Sequence, residues 1–586
     1  MNRFFKQQGR LWLLSAIVML SGCAKDSIKN LADDASLIVN VSGLEDYIIE
    51  EVPIELTSTN SLSPAMRNTA IAGGTALTGM RYRKDDALHE LYTSNDYDID
   101  FEITKSHPLS LISKNRKIKT AGLSMSAGPQ LVARQPIGAD VRYRLLMYRE
   151  NETTPVVNVE GVGATFPAVA IASGFNYRWI AVSTNESGSS PTVANNVVSA
   201  AQIANKDFLY ASGTILTQYG ENYLNIVFNR YTTRIQLTVD SRGMFGNIAG
   251  NSNISFVIAQ GGTLSETGDF NVRDSSFSNF QAVALSSNNM TSTNPALRVG
   301  TIYTVRPRAV TANSLRLRLN PLNLTLDDGA TRTFADNTVG FGSAFLPVRG
   351  SSYDITARLI ESGVQVTGST LRWARSNLRY VSSAAAGFRY RFVPHPVNTA
   401  FDINVDMWNF ATTTPTGTTF NNVDMCASVY PAGTWRLPTA TDFQSLPTPN
   451  SLERYTPLLL GGVGLVANWE RSASQPANSA YAGSDQLRLP FYGFRTATNT
   501  RSQQPGLLAI LVNGQGHYYS VNYTGTSTNP TAIRPTFFRM NYSGLDLLGL
   551  LNLADGYSQE VVSNLSGTSV NQGRSVRCVR AIVNNS

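Results

Sequence analysis

The residues able to do acid–base, nucleophilic or metal chemistry are few and scattered in this chain. Its four histidines, His89, His107, His395 and His517, include no pair at the helical spacing that binds zinc. The sequence contains no phosphate-binding loop and no Gly-x-Ser-x-Gly turn between a strand and a helix. We therefore expect a protein that is not an enzyme and needs no metal or cofactor. A secreted hydrolase, whose paired carboxylates would meet only in three dimensions, stays an alternative.

The first of three cysteine thiols follows a basic start and an apolar run at residues 11–20. This layout is typical of a secretory signal, because the run is shorter than the roughly 20 apolar residues of a membrane-spanning helix. The residues Leu20-Ser21-Gly22-Cys23 resemble the lipobox of bacterial lipoproteins. The resemblance implies a signal peptide over residues 1–22 and acylation of Cys23. The alternative is an ordinary secretory signal with an incidental cysteine.

The bulk composition indicates an extracellular β-protein with several domains. A chain of 586 residues with only 15% charged residues favours two to four domains and β-structure. The net charge of +7 comes without a dense basic cluster, so we expect no nucleic-acid partner. No second apolar run is long enough to span a membrane, which leaves lipid as the only membrane attachment. If Cys23 carries lipid, Cys426 and Cys578 remain as a pair, and a disulfide is the default expectation.

Three early stretches show the alternation expected of strands, at residues 36–41, 52–57 and 96–103. The third, Asp96-Tyr97-Asp98-Ile99-Asp100-Phe101-Glu102-Ile103, predicts a half-buried strand with an acidic outer face. A calcium loop is the alternative, but it needs glycine at its sixth position and glutamate at its twelfth. Those positions hold Phe101 and His107.

From residue 141 the strand pattern becomes regular. Strands are predicted at residues 141–148, 174–183, 207–213, 223–228 and 233–239, with a short helix before the third. Strands at this spacing, with few helical periods between them, indicate an all-β sandwich. Later strands are predicted at residues 255–258, 315–319 and 353–359.

The order of these elements resembles the N-terminal half of Bacteroidales fimbrillins. The resemblance is carried by Leu-Met-Tyr at 146–148, Gly-Phe-Asn-Tyr-Arg-Trp at 174–179, Asp-Phe-Leu-Tyr-Ala-Ser at 207–212 and Ile-Val-Phe-Asn-Arg-Tyr-Thr-Thr-Arg-Ile at 226–235. Family members usually have a histidine after the phenylalanine of the last element, where this chain has Asn229-Arg230. The resemblance implies two tandem transthyretin-like sandwiches, at residues 135–240 and 241–368.

Residues 369–586 resemble a different module, the paralogous domain of Fibrobacter and Bacteroidetes surface proteins, which is related to C-type-lectin-like folds. The resemblance is carried by Thr-Trp-Arg-Leu-Pro at 434–438, Leu-Arg-Leu-Pro-Phe-Tyr-Gly-Phe-Arg at 487–495, Gly-His-Tyr-Tyr at 516–519 and Ser-Val-Arg-Cys-Val at 575–579. It implies an α+β fold in which Cys426 and Cys578 form a long-range staple. Aromatic residues and His517 are either a ligand surface or core: Trp408, Trp435, Trp469, Tyr518 and Tyr519.

The fimbrillin resemblance implies an adhesive or structural subunit of a surface fimbrium of the Porphyromonas major type. Such a precursor is tethered to the outer membrane by lipid until an arginine-specific, trypsin-like protease removes its first strand. The leaving strand would come from residues 36–58, within a pro-segment over 23–134 that is cut after Arg67 or Arg134. A strand from a neighbouring subunit would then fill the groove.

The added C-terminal module favours a tip or accessory subunit over a shaft subunit, because a shaft subunit must offer a donor strand at its end. This lectin-like module would contact a host or bacterial surface ligand. The alternative is a surface glycan-binding lipoprotein that never polymerises.

Overall fold

The computed structural model of the chain describes residues 35–45, 80–84, 87–93, 97–106, 136–150, 152–164, 166, 168–259, 263–283, 290–292, 294–397, 400–455, 464–475, 479–481, 485–508, 511–525, 532–547, 551–563 and 570–581. Strands dominate these residues, which confirms the expected mostly β fold class. The two α-helices that the structure describes, α1 (Ala200–Ile203) and α2 (Ala440–Gln444), are each about one turn long.

The strands follow one another in three groups along the chain. The early strands are β1 (Ala35–Glu45), β2 (Met80–Lys84), β3 (Ala87–Thr93) and β4 (Tyr97–Ser106). They are followed by β5 (Arg142–Arg149), β6 (Val157–Val162), β7 (Val169–Ile171), β8 (Asn176–Ser183), β9 (Val197–Val198), β10 (Leu209–Leu216) and β11 (Gly220–Arg230). The middle group comprises β12 (Thr233–Gly243), β13 (Gly246–Ile248), β14 (Ile254–Ile258), β15 (Glu266–Asn271), β16 (Ser276–Ala282), β17 (Leu297–Thr304), β18 (Leu315–Leu319), β19 (Leu322–Leu326), β20 (Thr331–Phe334), β21 (Asn337–Gly340) and β22 (Ser352–Glu361).

The third group forms the C-terminal module. Its strands are β23 (Val364–Gln365), β24 (Leu371–Trp373), β25 (Leu378–Tyr380), β26 (Tyr390–Phe392), β27 (Ser451–Tyr455), β28 (Gly464–Glu470), β29 (Gln486–Pro490), β30 (Phe494–Arg495), β31 (Arg501–Ser502), β32 (Gly506–Leu508), β33 (Leu511–Thr524), β34 (Arg534–Leu547), β35 (Leu551–Val562) and β36 (Val579–Ala581). The predicted strands at 36–41, 96–103 and from 141 to 359 are confirmed, whereas the one at 52–57 lies outside the described residues.

The first sandwich is one sheet folded into two facing halves. Its spatial strand order is β6-β5-β8-β10-β11-β1-β7. The two halves meet where β10 pairs with β11 at Leu209–Arg230 and Tyr210–Asn229. Side chains from both halves share one core, in which Tyr143 and Trp179 of one half accompany Leu37 of the other. The alternating apolar residues of each strand therefore point into a common interior.

In the second sandwich a six-stranded sheet faces two three-stranded sheets. The order of the large sheet is β17-β12-β22-β4-β3-β2, and the small sheets are β13-β19-β20 and β14-β18-β21. Its core draws Leu237 and Ile355 from the large sheet and Leu317 and Leu324 from the small ones. The strands β2, β3 and β4 lie in sequence between β1 and β5 of the first sandwich, yet they belong to this sheet. We call them the β2–β4 segment.

The boundaries between the units differ from those expected. The boundary at 240/241 falls inside β12, which pairs with β17 and β22 and so belongs to the second sandwich. Conversely, β15 pairs with β9 and packs Phe270 against the outer face of the first sheet. The pro-segment over 23–134 supplies strands to both sandwiches. Strand pairing over long sequence distances causes these differences, and local sequence does not encode such pairing.

The C-terminal module is built mainly of short sheets, the largest being β32-β33-β34-β35. Its first two strands share a sheet with its last described strand, because β23 pairs with β24 and β24 pairs with β36. The module therefore begins at Val364, five residues before the expected boundary at 369. Its α-helical content among the described residues is the single turn α2, so the expected α+β character is slight. The relation to C-type-lectin-like folds stays a prediction.

Candidate strand-exchange site

The first described strand, β1, is embedded in the first sandwich between two strands that come much later in sequence. β1 pairs in parallel with β11, from Ala35 opposite Gly220 to Glu45 opposite Asn229. On its other side it pairs antiparallel with the short strand β7 over residues 35–37. Because β1 lies at one end of the chain and β11 beyond the first half of the sandwich, the pairing is long-range. β1 thus has the geometry of an inserted strand.

The inner face of β1 is a row of apolar side chains. Leu37 is 0% exposed, and Val39, Val41 and Leu44 are at most 6% exposed. The register shifts between Val41 and Gly43, where a positive φ of 134° at the glycine permits a bulge. The bulge changes the phase of alternation, so Leu44 also faces the core. Burial of each such side chain contributes about 1.5–3 kcal/mol.

The outer face of β1 carries Ser36, Ile38, Asn40 and Ser42, which are half-buried or exposed. Asn40 donates from Nδ2 to Oδ1 of Asn225 at 3.1 Å, on the exposed side of the sheet. A partner strand needs little more than main-chain groups and alternating apolar residues to fill the same place. These are the features of β-strand addition, in which main-chain hydrogen bonds supply affinity and alternate side chains supply fit.

The predicted lipidation and processing residues, Cys23, Arg67 and Arg134, lie outside the described residues. Their places in sequence nevertheless distinguish the two candidate cuts. Arg67 lies between β1 and β2 in sequence, so a cut there separates β1 from the other described strands. Arg134 lies between β4 and β5, so a cut there separates all four early strands.

The predicted bridge is present between Cys426 and Cys578, with a Cα–Cα distance of 5.7 Å. Both residues are fully buried in one core of the module. The Asp424 carboxylate positions Cys426 by accepting hydrogen bonds from the backbone N–H groups of Cys426 and Leu437, each at 2.9 Å. The bridge therefore joins the middle of the module to its last described strand.

Reduction of this bridge should lower the free energy of unfolding of the module by about 2–5 kcal/mol. The two cysteines are 152 residues apart, and the unfolded chain gains entropy when so long a loop is opened. The urea midpoint of the wild-type protein should fall on addition of dithiothreitol. The double variant Cys426→Ala/Cys578→Ala should start at the lower midpoint and not respond to the reductant. Equal midpoints for oxidised and reduced wild type would contradict this.

The aromatic residues proposed as a ligand surface are core. Trp408, Trp435, Trp469, Tyr518 and Tyr519 are each at most 1% exposed. His517 is 3% exposed and stacks on Phe537 with ring centroids 5.1 Å apart. Burial lowers its pKa well below the usual range, which favours the neutral ring. The alternative that these side chains contact a ligand is wrong for this conformation.

A polar cavity of about 250 Å³ lies where the second sandwich meets the module. The guanidinium of Arg242 lies 4.2 Å from the Phe388 ring centroid and 5.0 Å from that of Tyr430. Its hydrogen bond to Asp240 raises its pKa, so the group stays charged. The exposed side chain of Asn247 also lines the cavity. Aromatic faces beside amide and guanidinium groups can bind a small polar ligand such as a sugar.

The described residues show neither a metal site nor a membrane-spanning helix. No group of three or more His, Cys, Asp or Glu side chains is arranged to hold a metal ion there. Among the helices of the same residues, none has the length and apolar character needed to cross a membrane.

Comparisons with known proteins gave only distant structural likenesses. No family model matches the chain, and no curated protein matches it. A candidate cell adhesion protein from Bacteroides uniformis matches 39% of this chain and 95% of its own, with 13% identity and a TM-score of 0.23. A candidate cell adhesion protein from Bacteroides fragilis matches 48% of this chain and 94% of its own, with 12% identity and a TM-score of 0.25. A fimbrial assembly protein from Parabacteroides distasonis matches 40% of this chain and 89% of its own, with 10% identity and a TM-score of 0.19. TM-scores this low do not establish a common function.

Proposed function

We propose that this protein is a structural and adhesive subunit of a bacterial surface fimbrium, joined to a neighbouring subunit by strand exchange at the place of β1. The observation that carries the proposal is the inserted position of β1 between β11 and β7. It is the first described strand, its inner face is apolar, and its hold on the sheet depends on main-chain pairing.

Exchange requires β1 to leave and a similar strand to enter. In the proposed sequence, Cys23 holds the exported chain at the outer membrane through lipid, and a protease cuts after an arginine downstream of β1. Departure of β1 uncovers the edge of β11 and the apolar core around Leu37. A neighbouring subunit then supplies a strand with apolar residues at alternate positions, which restores both the ladder and the core.

The C-terminal module suits the outer end of such a filament. Its strand β36 is held by β24 and follows the Cys426–Cys578 bridge. A strand so fixed cannot be donated to a neighbour without opening the module. We therefore propose a tip or accessory position, with the module facing the surface to which the filament adheres.

The N-terminus of the protein on the cell surface tests this function. Mass spectrometry should find a terminus just after Arg67 or Arg134, and the chain should co-purify with other fimbrial subunits. The variants Arg67→Lys and Arg134→Lys serve as matched controls, since an arginine-specific protease does not cut after lysine. An acylated terminus at Cys23 in the surface-exposed wild type would refute processing and favour a lipoprotein that never polymerises.

A second function, sugar binding, is favoured by the cavity beside Arg242. Full-length protein on a glycan array should bind a defined set of sugars. The variant Asn247→Ala should lose at least about tenfold in affinity, as expected for one hydrogen bond to a ligand. Asn251→Ala, an exposed change nearby in sequence, should not. Binding that is unchanged in the Asn247 variant would place the ligand elsewhere.

A further inference from the structure

The β2–β4 segment (residues 80–106) completes the second sandwich, although it is separated in sequence from β12 by strands β5 to β11. β4 pairs antiparallel with β22, from Tyr97 opposite Glu361 to Ser106 opposite Ser352. β3 then pairs with β4, and β2 with β3. Without the segment, β22 would present an open edge with its main-chain groups unpaired along that side.

One face of β4 belongs to the core of the second sandwich. Tyr97, Ile99, Phe101 and Ile103 are between 0% and 6% exposed. Tyr97 packs edge-on against Phe334, with ring centroids 5.4 Å apart. This face resembles the inner face of β1 in being apolar, so it does not by itself distinguish a strand that stays from one that leaves.

The other face of β4 distinguishes it from β1, because it carries a buried charge. Asp98 is 1% exposed, and its carboxylate lies 2.5 Å from Nη2 of Arg580 and 3.7 Å from Nη1 of Arg372. Both arginines belong to the C-terminal module, on β36 and β24. Burial lowers the pKa of Arg580, Asp98 opposes that shift, and the charge of Arg372 adds to it. Removal of Asp98 would leave two guanidinium groups facing each other inside the protein.

Further acidic groups of the segment are matched to the second sandwich. The Glu90 carboxylate accepts from the backbone N–H groups of Gly342 and Ser343, at 3.0 and 3.1 Å. Arg358 on β22 pairs with Asp100 at 3.1 Å and also with Glu102. An incoming strand with only alternating apolar residues would satisfy none of these partners.

We propose that the β2–β4 segment is a retained internal strand donor, which stays in the second sandwich when β1 leaves and fastens the C-terminal module to it. The departure of β1 rests on the proposed function, but retention of the segment does not. Strand exchange is then confined to the first sandwich, and each subunit accepts one neighbour. The segment remains bound even if the chain is cut on both sides of it.

Two engineered cuts in the full chain test retention. A recognition sequence for one specific protease is inserted between β1 and β2, and one for a second protease between β4 and β5. After both cuts, the protein is incubated with an excess of a labelled peptide that has the sequence of residues 35–45, and then separated by gel filtration in native buffer. The fragment containing residues 80–106 should elute with the body in a 1:1 ratio and separate only in denaturant. The labelled peptide should replace β1.

The outcomes separate the two proposals. Release of the 80–106 fragment in native buffer overturns retention, whether or not β1 exchanges. Retention of that fragment together with no exchange of β1 supports this inference and counts against the proposed function.

The Asp98→Asn variant of the doubly cut protein tests the role of the buried charge. Its fragment should dissociate about 100-fold faster or more, since the arginines lose their carboxylate. Asp354→Asn on β22, whose side chain is 38% exposed, is the matched control and should leave the rate within about threefold of wild type. An unchanged rate in the Asp98 variant would show that the charge does not fasten the module. If that variant does not fold, the cut wild-type protein still decides retention.

Discussion

Replacement of Leu37 by aspartate should detach β1 from the first sandwich. Leu37 is 0% exposed and lies in the core shared by both halves of the sheet. Loss of a buried leucine costs about 2–5 kcal/mol, and an unpaired carboxylate at the same place adds several more. The variant should therefore populate a state in which the groove is open, and a labelled peptide with the sequence of residues 35–45 should bind it in trans. Fluorescence anisotropy measures that binding directly.

The exposed position Asn40 on the same strand supplies the control. Asn40→Asp adds the same charge to β1 but leaves it in solvent, at the expense of one hydrogen bond to Asn225. It should change stability by about 1 kcal/mol and leave the groove closed to the peptide. If the Leu37 variant bound no peptide and kept wild-type resistance to proteolysis near β1, the inserted strand would not be exchangeable.

Local patterns in the sequence were sufficient to predict ten of the described strands but not their partners. Residues 36–41 show the hydrophobic alternation expected of a strand, and they form part of β1. Its neighbour β11 could not be inferred, because Asn40 and Asn225 are 185 residues apart and nothing in either stretch encodes the other. The bulge at Gly43 likewise depends on how β1 fits the core. Sequence reasoning therefore predicted the strand β1 and missed the groove that holds it.

The acidic face of β4 shows that partners of charged residues, like partners of strands, cannot be inferred from local sequence. The alternation at 96–103 correctly predicted the strand, and its acids were assigned to solvent because charged residues are rarely buried without a partner. Asp98 can be buried because it pairs with Arg372 and Arg580, and local sequence does not show these partners because they belong to the C-terminal module.

Aromatic residues pose the converse problem. Trp435 suits a sugar-binding surface or a core equally well, and its exposure of 1% decides for the core.

Arg230, the last residue of β11, has a buried carboxylate partner. Its Nε and Nη2 donate to the two oxygens of Asp207, at 2.6 and 3.0 Å. Its Nη1 donates to Ser352 of β22 at 3.1 Å, so the same side chain connects the first sandwich to the second. Both charged residues are at most 8% exposed. A buried bidentate pair at this joint should hold the two sandwiches in one relative orientation.

The variant Asp207→Ala should lower the free energy of unfolding by about 3–5 kcal/mol, because it removes the carboxylate that accepts two hydrogen bonds from the buried Arg230 guanidinium. Lys206→Ala, next in sequence, breaks a pair with Glu186 whose side chains are 37% and 48% exposed, and should cost at most about 1 kcal/mol. Urea unfolding measures both changes. The double variant Asp207→Leu/Arg230→Met should recover much of the loss, since two apolar groups need no counter-charge. A double variant as unstable as Asp207→Ala would show that the buried charge of Arg230 does not cause the loss, and the joint would then depend on direct contact between the sandwiches more than on paired charge.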